Sequence, residues 1–126
     1  METSAVGVSA TDLRRAVSFY SLLGFSFPAF DEGEDHVESS NSGARLMIDG
    51  VGLLTGLLGE PPRPGNTAAF AVRCQTPGQV DGLVTRVSSA GHVVVTAPYD
   101  APWRQRYATV ADPDGYRIDL YAPLPG

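Results

Sequence analysis

The side chains best suited to bind a ligand in this sequence are aromatic. Trp103 is the only tryptophan and lies between Pro102 and Arg104, outside any periodic apolar stripe. It fits two interpretations: a packing plug beneath a loop, or a stacking wall for a planar ligand, because an indole offers a large π face at little conformational cost. Tyr99 lies in the same loop and is a weaker candidate for the same role.

Polar candidates lie on two predicted strands near the C-terminus. Because successive side chains of a strand point to opposite faces, Arg117, Asp119 and Tyr121 share one face and the apolar residues between them share the other. If the apolar set packs beneath a helix, Asp119 and Tyr121 face a ligand. In the preceding predicted strand, Tyr107 shares a face with Gln105, and the sequence leaves open which face is inward.

Two further candidates lie in the first half of the chain. His36 follows an acidic run and fits both a solvated strand-edge histidine and a ligand contact. Phe30 suits core packing and a ligand wall equally well. His92, which follows a helix-ending glycine, is interpreted as structural, and Asp112 and Asp114 as turn formers.

The sequence has no pattern typical of a familiar catalytic site. No Ser-His-Asp order, phosphate-cradling glycine loop or pair of carboxylates stands out. Cys74 is the single cysteine, so it cannot form an internal disulfide and is interpreted as a buried small hydrophobe. We therefore expect no catalytic residue, metal or other cofactor.

Composition limits the classes of partner. The net charge is −5, and no basic cluster exceeds the pair Arg14-Arg15, which argues against a nucleic-acid partner. No apolar stretch approaches the roughly 20 residues of a membrane span, and no secretory signal is visible, so we expect a cytoplasmic protein with no membrane association. All nine basic residues are arginine, which suggests a genome rich in G and C, of an actinobacterial type.

The elements that must position these side chains repeat. Apolar residues recur at helical spacing from Thr11 to Leu23, with Gly24 as a stop, and again from Thr76 to Gly91. Strands are predicted at 4–9, 25–30, 36–39 and 45–49, and then at 67–74, 92–97, 105–110 and 116–121. The residues 59–65 contain three prolines and are interpreted as a linker.

The pattern therefore predicts an α+β fold made of two βαβββ modules, about 1–58 and 66–126, within a single domain of residues 1–126. Each module buries one sheet face beneath its own helix. The opposite faces of two curved sheets then remain to form a ligand cleft.

Three segments resemble the vicinal-oxygen-chelate superfamily, which comprises glyoxalases, extradiol dioxygenases and bleomycin-resistance proteins. They are 12–25, which includes Asp12-Leu13 and Leu23-Gly24-Phe25, then Ala69-Phe70-Ala71-Val72, and the run from Asp112 to Leu120. Within that superfamily, the segment from Trp103 to Pro125 is most similar to mitomycin-binding drug-resistance proteins. The resemblance implies binding and sequestration of an aromatic antibiotic or natural product, conferring self-resistance, by a homodimer whose modules can be exchanged between subunits.

The same resemblance shows where a metal would be held. Enzymes of the superfamily usually bind a divalent metal at equivalent places in the two modules, and here those places hold Ala5 and Thr67 in the first strands and Asp119 in the last. The fourth place falls within 45–48, which offers no hard-metal ligand. We therefore expect ligand contacts without a metal, from His36, Trp103, Tyr107, Asp119, Tyr121, Tyr99 and Phe30. The alternative is a metal-dependent lyase or dioxygenase of the same fold, or a metal-free enzyme with Asp119 as base.

Overall fold

A computed structural model describes residues 1–126, which divide into two compact units, Met1–Arg63 and Pro64–Gly126. Unit 1 contains β1 (Ala5–Ala10), α1 (Leu13–Leu22), β2 (His36–Glu38), β3 (Arg45–Gly50) and α2 (Val51–Leu58). Unit 2 contains β4 (Ala68–Arg73), α3 (Pro77–Ser89), β5 (Val93–Ala101), β6 (Gln105–Ala111) and β7 (Arg117–Pro123). The predicted α+β class with two modules is confirmed. None of the helices has the length and apolar character to cross a membrane.

Unit 1 is a three-stranded sheet with α1 on one face. The strand order is β1-β3-β2, in which β1 runs parallel and β2 antiparallel to β3. Asp12 caps α1 because its carboxylate accepts a hydrogen bond from the Arg15 backbone N–H at 3.2 Å. The core combines buried side chains of α1 with those of one sheet face, namely Ala16, Phe19, Tyr20, Val8, Val37, Leu46 and Ile48.

Unit 1 differs from the prediction at 25–30, where the structure has no strand. A single strand-like backbone hydrogen bond joins this segment to residue 40: the Ser40 N–H donates to the Ser26 carbonyl at 2.8 Å. Pro28 has no N–H to donate, so a longer ladder on that edge is interrupted. The segment therefore runs beside residue 40 as an irregular loop.

The helix α2 was missing from the sequence prediction. Val51–Leu58 is apolar, but Gly52 and Gly56 interrupt it and are poor helix formers, so no single stripe marks it. None of its residues is fully buried, and Leu57 and Leu58 are exposed. It ends at Gly59, whose φ of 81° is the left-handed conformation that favours glycine.

Unit 2 is a four-stranded sheet in the order β4-β7-β6-β5, with α3 packed against β5, β6 and β7. The predicted stripe of α3 is confirmed, since its four apolar residues are all buried: Val80, Leu83, Val84 and Val87. Thr76 caps the helix by accepting from the Gln79 N–H at 3.1 Å, and the Gln79 side chain accepts from the Gln75 N–H at 2.7 Å. An ion pair between Arg106 of β6 and Asp81 of α3, at 3.0 Å, adds a polar tie between helix and sheet.

The turn between β6 and β7 is organised by one buried carboxylate. Asp112 is only 5% exposed, and its Oδ1 accepts from the backbone N–H groups of Asp114 and Tyr116, each at 2.9 Å. Gly115 supplies a φ of 90°, which the turn requires. The interpretation of Asp112 as a turn former agrees with these contacts.

This geometry predicts the stability of two variants. Asp112→Ala leaves two backbone N–H groups without their acceptor and should lower the free energy of unfolding by about 2 kcal/mol. Asp112→Asn keeps one acceptor oxygen and should lose less than half of that amount. Urea denaturation followed by circular dichroism measures both, and an Asp112→Ala protein as stable as the wild type would contradict this account of the turn.

Candidate functional site

The sheet of unit 2 has one face that α3 does not cover. Ala108 and Val110 of β6 and Ile118 and Leu120 of β7 are buried on the helix side. Their neighbours point the other way and are half-buried. We call this surface the open face of unit 2, and it carries Gln105, Tyr107, Thr109, Arg117, Asp119 and Tyr121. The structure thus confirms the predicted alternation of β7 and shows that Tyr107 lies on the same face as Asp119.

Four aromatic rings lie close together at the end of the open face. We call Tyr99, Trp103, Tyr107 and Tyr121 the aromatic cluster. The ring centroids of Trp103 and Tyr107 are 5.4 Å apart and edge-on, while Tyr107 and Tyr121 are 6.4 Å apart and stacked at 25°. Tyr99 lies 6.5 Å from Trp103 and 6.4 Å from Tyr107. Strand register brings these rings together, because Tyr107 pairs with Tyr99 on β5 and with Tyr121 on β7.

Trp103 lies in the turn between β5 and β6 and is 54% exposed, so it is not a plug buried beneath a loop. Its Nε1–H donates to Gln105 Oε1 at 3.0 Å, which fixes the orientation of the indole.

The turn that carries Trp103 is held in place by the C-terminal segment of the chain. The Arg104 carbonyl accepts from the Leu124 N–H at 3.0 Å, and the Arg104 guanidinium donates to the Gly126 carbonyl at 3.0 Å. Arg104 adopts a φ of 65°, which is uncommon for a residue with a side chain.

Asp119 lies beside this cluster and accepts two side-chain hydrogen bonds. The Tyr107 hydroxyl donates to Oδ2, and the Thr109 hydroxyl donates to Oδ1 at 2.6 Å. Burial, followed by the hydrogen bond to Asp119, raises the pKa of Tyr107 to about 12. Tyr107 therefore keeps its proton throughout the neutral range and remains the donor of this bond.

His36 lies on the sheet of unit 1 and is held between two carboxylates. Its Nδ1 lies 2.5 Å from Asp49 Oδ1, and its Nε2 lies 3.0 Å from Glu38 Oε2. Arg45 continues the series of charges through a 2.8 Å ion pair with Glu38. The hydrogen bonds to Glu38 and then to Asp49 raise the pKa of His36 above its ordinary value. Both ring nitrogens are therefore engaged within the protein.

Phe30 is the remaining candidate of unit 1. It lines an open depression of about 410 Å³, together with the start of α1 and the acidic loop 31–35. The guanidinium of Arg14 lies 5.0 Å from the centre of the Phe30 ring, at cation–π distance. The seven candidate residues therefore divide into three groups: the aromatic cluster with Asp119, then His36, then Phe30.

Of the four positions at which enzymes with this resemblance hold a metal, only the position of Asp119 carries a side chain suited to bind one. Ala5 begins β1, Thr67 lies immediately before β4, and Met47 occupies the half-buried place in β3 between the buried Leu46 and Ile48. No three His, Cys, Asp or Glu side chains are grouped so that they could hold a metal ion. Asp119 alone has carboxylate chemistry there, and hydroxyl groups bond to both of its oxygens. The donor set does not fit the divalent metal that enzymes with this resemblance hold.

Sequence reasoning missed the carboxylate partners of His36 and the hydroxyl partner Thr109. Strand register was the signal for Asp49 and Thr109, because His36 pairs with Asp49 across β2 and β3, and Thr109 pairs with Asp119 across β6 and β7. Glu38 lies two residues from His36 on β2, so alternation along that strand already places the two side chains on one face. Alternation along one strand gives a side chain's face but not its neighbour on the next strand.

Comparison with known proteins agrees with the two-module fold. A family model described as the glyoxalase/bleomycin resistance protein/dioxygenase superfamily matches residues 4–120. The chain belongs to this superfamily. No curated protein matches the chain.

Solved structures related to this superfamily protein share its fold at low sequence identity. A glyoxalase-related enzyme from Fulvimarina pelagi has a TM-score of 0.82 and 23% identity, covering 97% of this chain and 88% of its own. Lactoylglutathione lyase from Agrobacterium tumefaciens has a TM-score of 0.71 and 17% identity, with coverages of 94% and 91%. TioX from Micromonospora sp. ML1 has a TM-score of 0.67 and 23% identity, with coverages of 98% and 100%. At these identities the likeness is one of fold.

The contacts of His36 with Glu38 and Asp49 predict a pH-dependent contribution to stability. Because the pKa of His36 is raised in the folded protein, the contribution is fully present below the unfolded pKa of about 6.5 and is lost as pH rises through the folded pKa. We expect wild type to exceed His36→Gln in unfolding free energy at pH 5.5, by up to about 1 kcal/mol because the pair is partly exposed to solvent. That advantage should shrink by pH 9.

Urea unfolding of both proteins between pH 5.5 and 9 measures this difference. In a Glu38→Gln background the pH dependence should be smaller, because one of the two carboxylates no longer favours the charged imidazole. A difference between wild type and His36→Gln that stays constant over this range would show that the ion pairs do not stabilise the fold.

Proposed function

We propose that this superfamily member binds a planar aromatic small molecule on the open face of unit 2 and sequesters it without chemical change. The aromatic cluster is the observation that carries the proposal. Four rings within 6.5 Å of a neighbour lie on a sheet face that the module's own helix leaves uncovered. Large rings exposed together on a protein surface are typical of a binding site.

Stacking alone supplies a minor share of the affinity. An aromatic pair contributes about 0.5–1.5 kcal/mol beyond the area that it buries. The larger share must come from removing the ligand's apolar surface from water, at about 25 cal/mol per Å². Trp103 and Tyr99 are 54% and 38% exposed, so each still has apolar surface to bury against a ligand.

The sequence resemblance supports a particular class of ligand. The segment from Trp103 to Pro125 is most similar to mitomycin-binding resistance proteins, and it contains three of the four rings of the aromatic cluster. We therefore propose an aromatic antibiotic or natural product as the ligand, and self-resistance as the role. A homodimer is part of the proposal, since apolar side chains of both units are exposed, including Leu57, Leu58, Val93 and Val95.

The rival function is an enzyme of the same fold. A metal-dependent lyase or dioxygenase needs ligands that Ala5, Thr67 and Met47 do not provide. A metal-free catalyst would use Asp119 as a base, yet the hydroxyl groups of Tyr107 and Thr109 already donate hydrogen bonds to its two oxygens. Both observations favour binding over catalysis.

Substitution of Trp103 tests the binding surface. Trp103→Ala should weaken binding of a mitomycin-like, bleomycin-like or enediyne-like compound about ten- to a hundred-fold, because the ring contact and its buried area are lost. The fold should survive, since the indole is more than half exposed. Isothermal calorimetry measures the affinity, and circular dichroism checks the fold.

Arg86→Ala is the control, because it truncates an exposed side chain of α3, on the side of unit 2 away from the open face. It should bind as wild type does. Equal affinity of wild type and a folded Trp103→Ala protein would remove Trp103 from the site.

Recovery of the ligand separates binding from catalysis. After incubation with the protein, with and without added Fe²⁺, Mn²⁺, Zn²⁺ or Ni²⁺, the compound should be recovered with unchanged mass, because no group of side chains that could hold a metal ion is present. Liquid chromatography with mass spectrometry makes the measurement. A product that forms only with protein present would move this chain to the enzymes of its superfamily.

A further inference from the structure

Three polar side chains beside the aromatic cluster, Tyr107, Asp119 and Thr109, are hydrogen-bonded to one another, and Asp119 is the acceptor in both bonds. Asp119 as a carboxylate has no proton to donate and can only accept. The Tyr107 hydroxyl and the Thr109 hydroxyl both donate to it, one to each oxygen. The only hydroxyl proton of each side chain is therefore already used inside the protein.

What Tyr107, Asp119 and Thr109 still offer to a ligand is lone pairs. A carboxylate offers about four acceptor positions, of which the two hydroxyls occupy two. The oxygens of Tyr107 and Thr109 keep acceptor capacity after donating. The pKa of Tyr107, raised to about 12, keeps its proton in place across the neutral range. The indole N–H of Trp103 is likewise engaged, by Gln105.

We infer that this row of oxygens, Tyr107, Asp119 and Thr109, selects aromatic ligands that carry an N–H or O–H donor next to the ring. The inference rests on the proposed function and specifies its ligand class. A ligand that presents only acceptors to these three side chains meets four oxygen atoms and no donor, so it loses its hydrogen bonds to water there without replacement. A ligand with an amino or hydroxyl group makes a charge-assisted bond to Asp119.

The charges of the open face do not require a cationic ligand. Arg117 lies on the same strand face, and its guanidinium donates to the Asn66 carbonyl at 2.9 Å. Arg73 of β4 lies opposite Tyr121 of the neighbouring strand β7 in the strand register. Together β4 and β7 carry two arginines and one aspartate, so these strands have no excess of negative charge. The selection therefore acts on the donor rather than on the net charge, and a neutral aromatic amine suffices.

Three planar probes of nearly equal size test the inference: 2-aminoanthracene, 2-methylanthracene and anthracene-2-carboxylate. Anisotropy of probe fluorescence, titrated with wild-type protein at pH 7.5, gives the dissociation constants. We expect the amine to bind at least about tenfold more tightly than the methyl compound, as a hydrogen bond to a charged group allows. The carboxylate should bind most weakly of the three.

Two variants assign the preference to these oxygens. In Asp119→Asn the amide has one acceptor oxygen and one donor group, so it can accept from only one of the two hydroxyls, and the other hydroxyl is released to donate. The preference for the amine should fall to within about threefold, and the carboxylate should gain affinity. Thr85→Val is the matched control, because it removes a hydroxyl of α3, on the side of unit 2 away from the open face, and leaves Asp119 and its two hydrogen bonds in place. It should keep the preference for the amine.

The outcomes separate this inference from the function on which it rests. Equal binding of the three probes, or a preference that survives in a folded Asp119→Asn protein, overturns the donor selection and leaves aromatic binding intact. Failure of all three probes to bind, together with unchanged Trp103 fluorescence, overturns both. A near-ultraviolet circular dichroism spectrum like that of wild type confirms that each variant is folded.

Discussion

The packing of α3 on one face of the β4-β7-β6-β5 sheet is the constraint on which the candidate site depends. The helix buries four apolar side chains on that face, Val80, Leu83, Val84 and Val87, and the sheet contributes the buried side chains of Ile118 and Leu120. Since the side-chain period of a strand is two, burying Ile118 and Leu120 forces Asp119 and Tyr121 to the opposite face. A slip of β7 by one residue would place a carboxylate beneath the helix and an isoleucine in the site. The chemistry of the open face is thus fixed by apolar residues that never touch a ligand.

The same reasoning explains which parts of the fold could be predicted. The stripe of α3 and the alternation of β7 are strong because apolar and polar residues separate cleanly in each. In β6 the pattern is ambiguous, since Arg106 shares the helix-facing side with Ala108 and Val110. Its guanidinium reaches Asp81 of α3, so a charged residue is accommodated at the edge of an apolar face. Only the pairing of β6 with β7 decides the direction of Tyr107.

The first module was harder to predict because its signals are local and weak. The segment 25–30 alternates enough to suggest a strand, yet Pro28 removes a donor and one backbone hydrogen bond is left to Ser40. Sequence reasoning also marked His36 as a candidate without its partners. Asp49 reaches one ring nitrogen because β2 pairs antiparallel with β3, a register that no single-strand pattern contains. Glu38 reaches the other nitrogen from two residues along β2 itself, on the same face of the strand.

Asp119 links the family's chemistry to the chemistry proposed here. In enzymes with this resemblance a carboxylate on the last strand shares a metal with imidazoles, whereas Ala5 and Thr67 here provide no ligand. The oxygens of a partly buried carboxylate without a metal still need hydrogen-bond donors, and the hydroxyl groups of Tyr107 and Thr109 on β6 provide them. These bonds hold Tyr107 in place, and Tyr107 in turn contacts the other three rings of the aromatic cluster. Asp119 thus helps to order the aromatic cluster through Tyr107. The position on the last strand that holds a metal ligand in those enzymes holds, in this protein, the hydrogen-bond acceptor that fixes Tyr107.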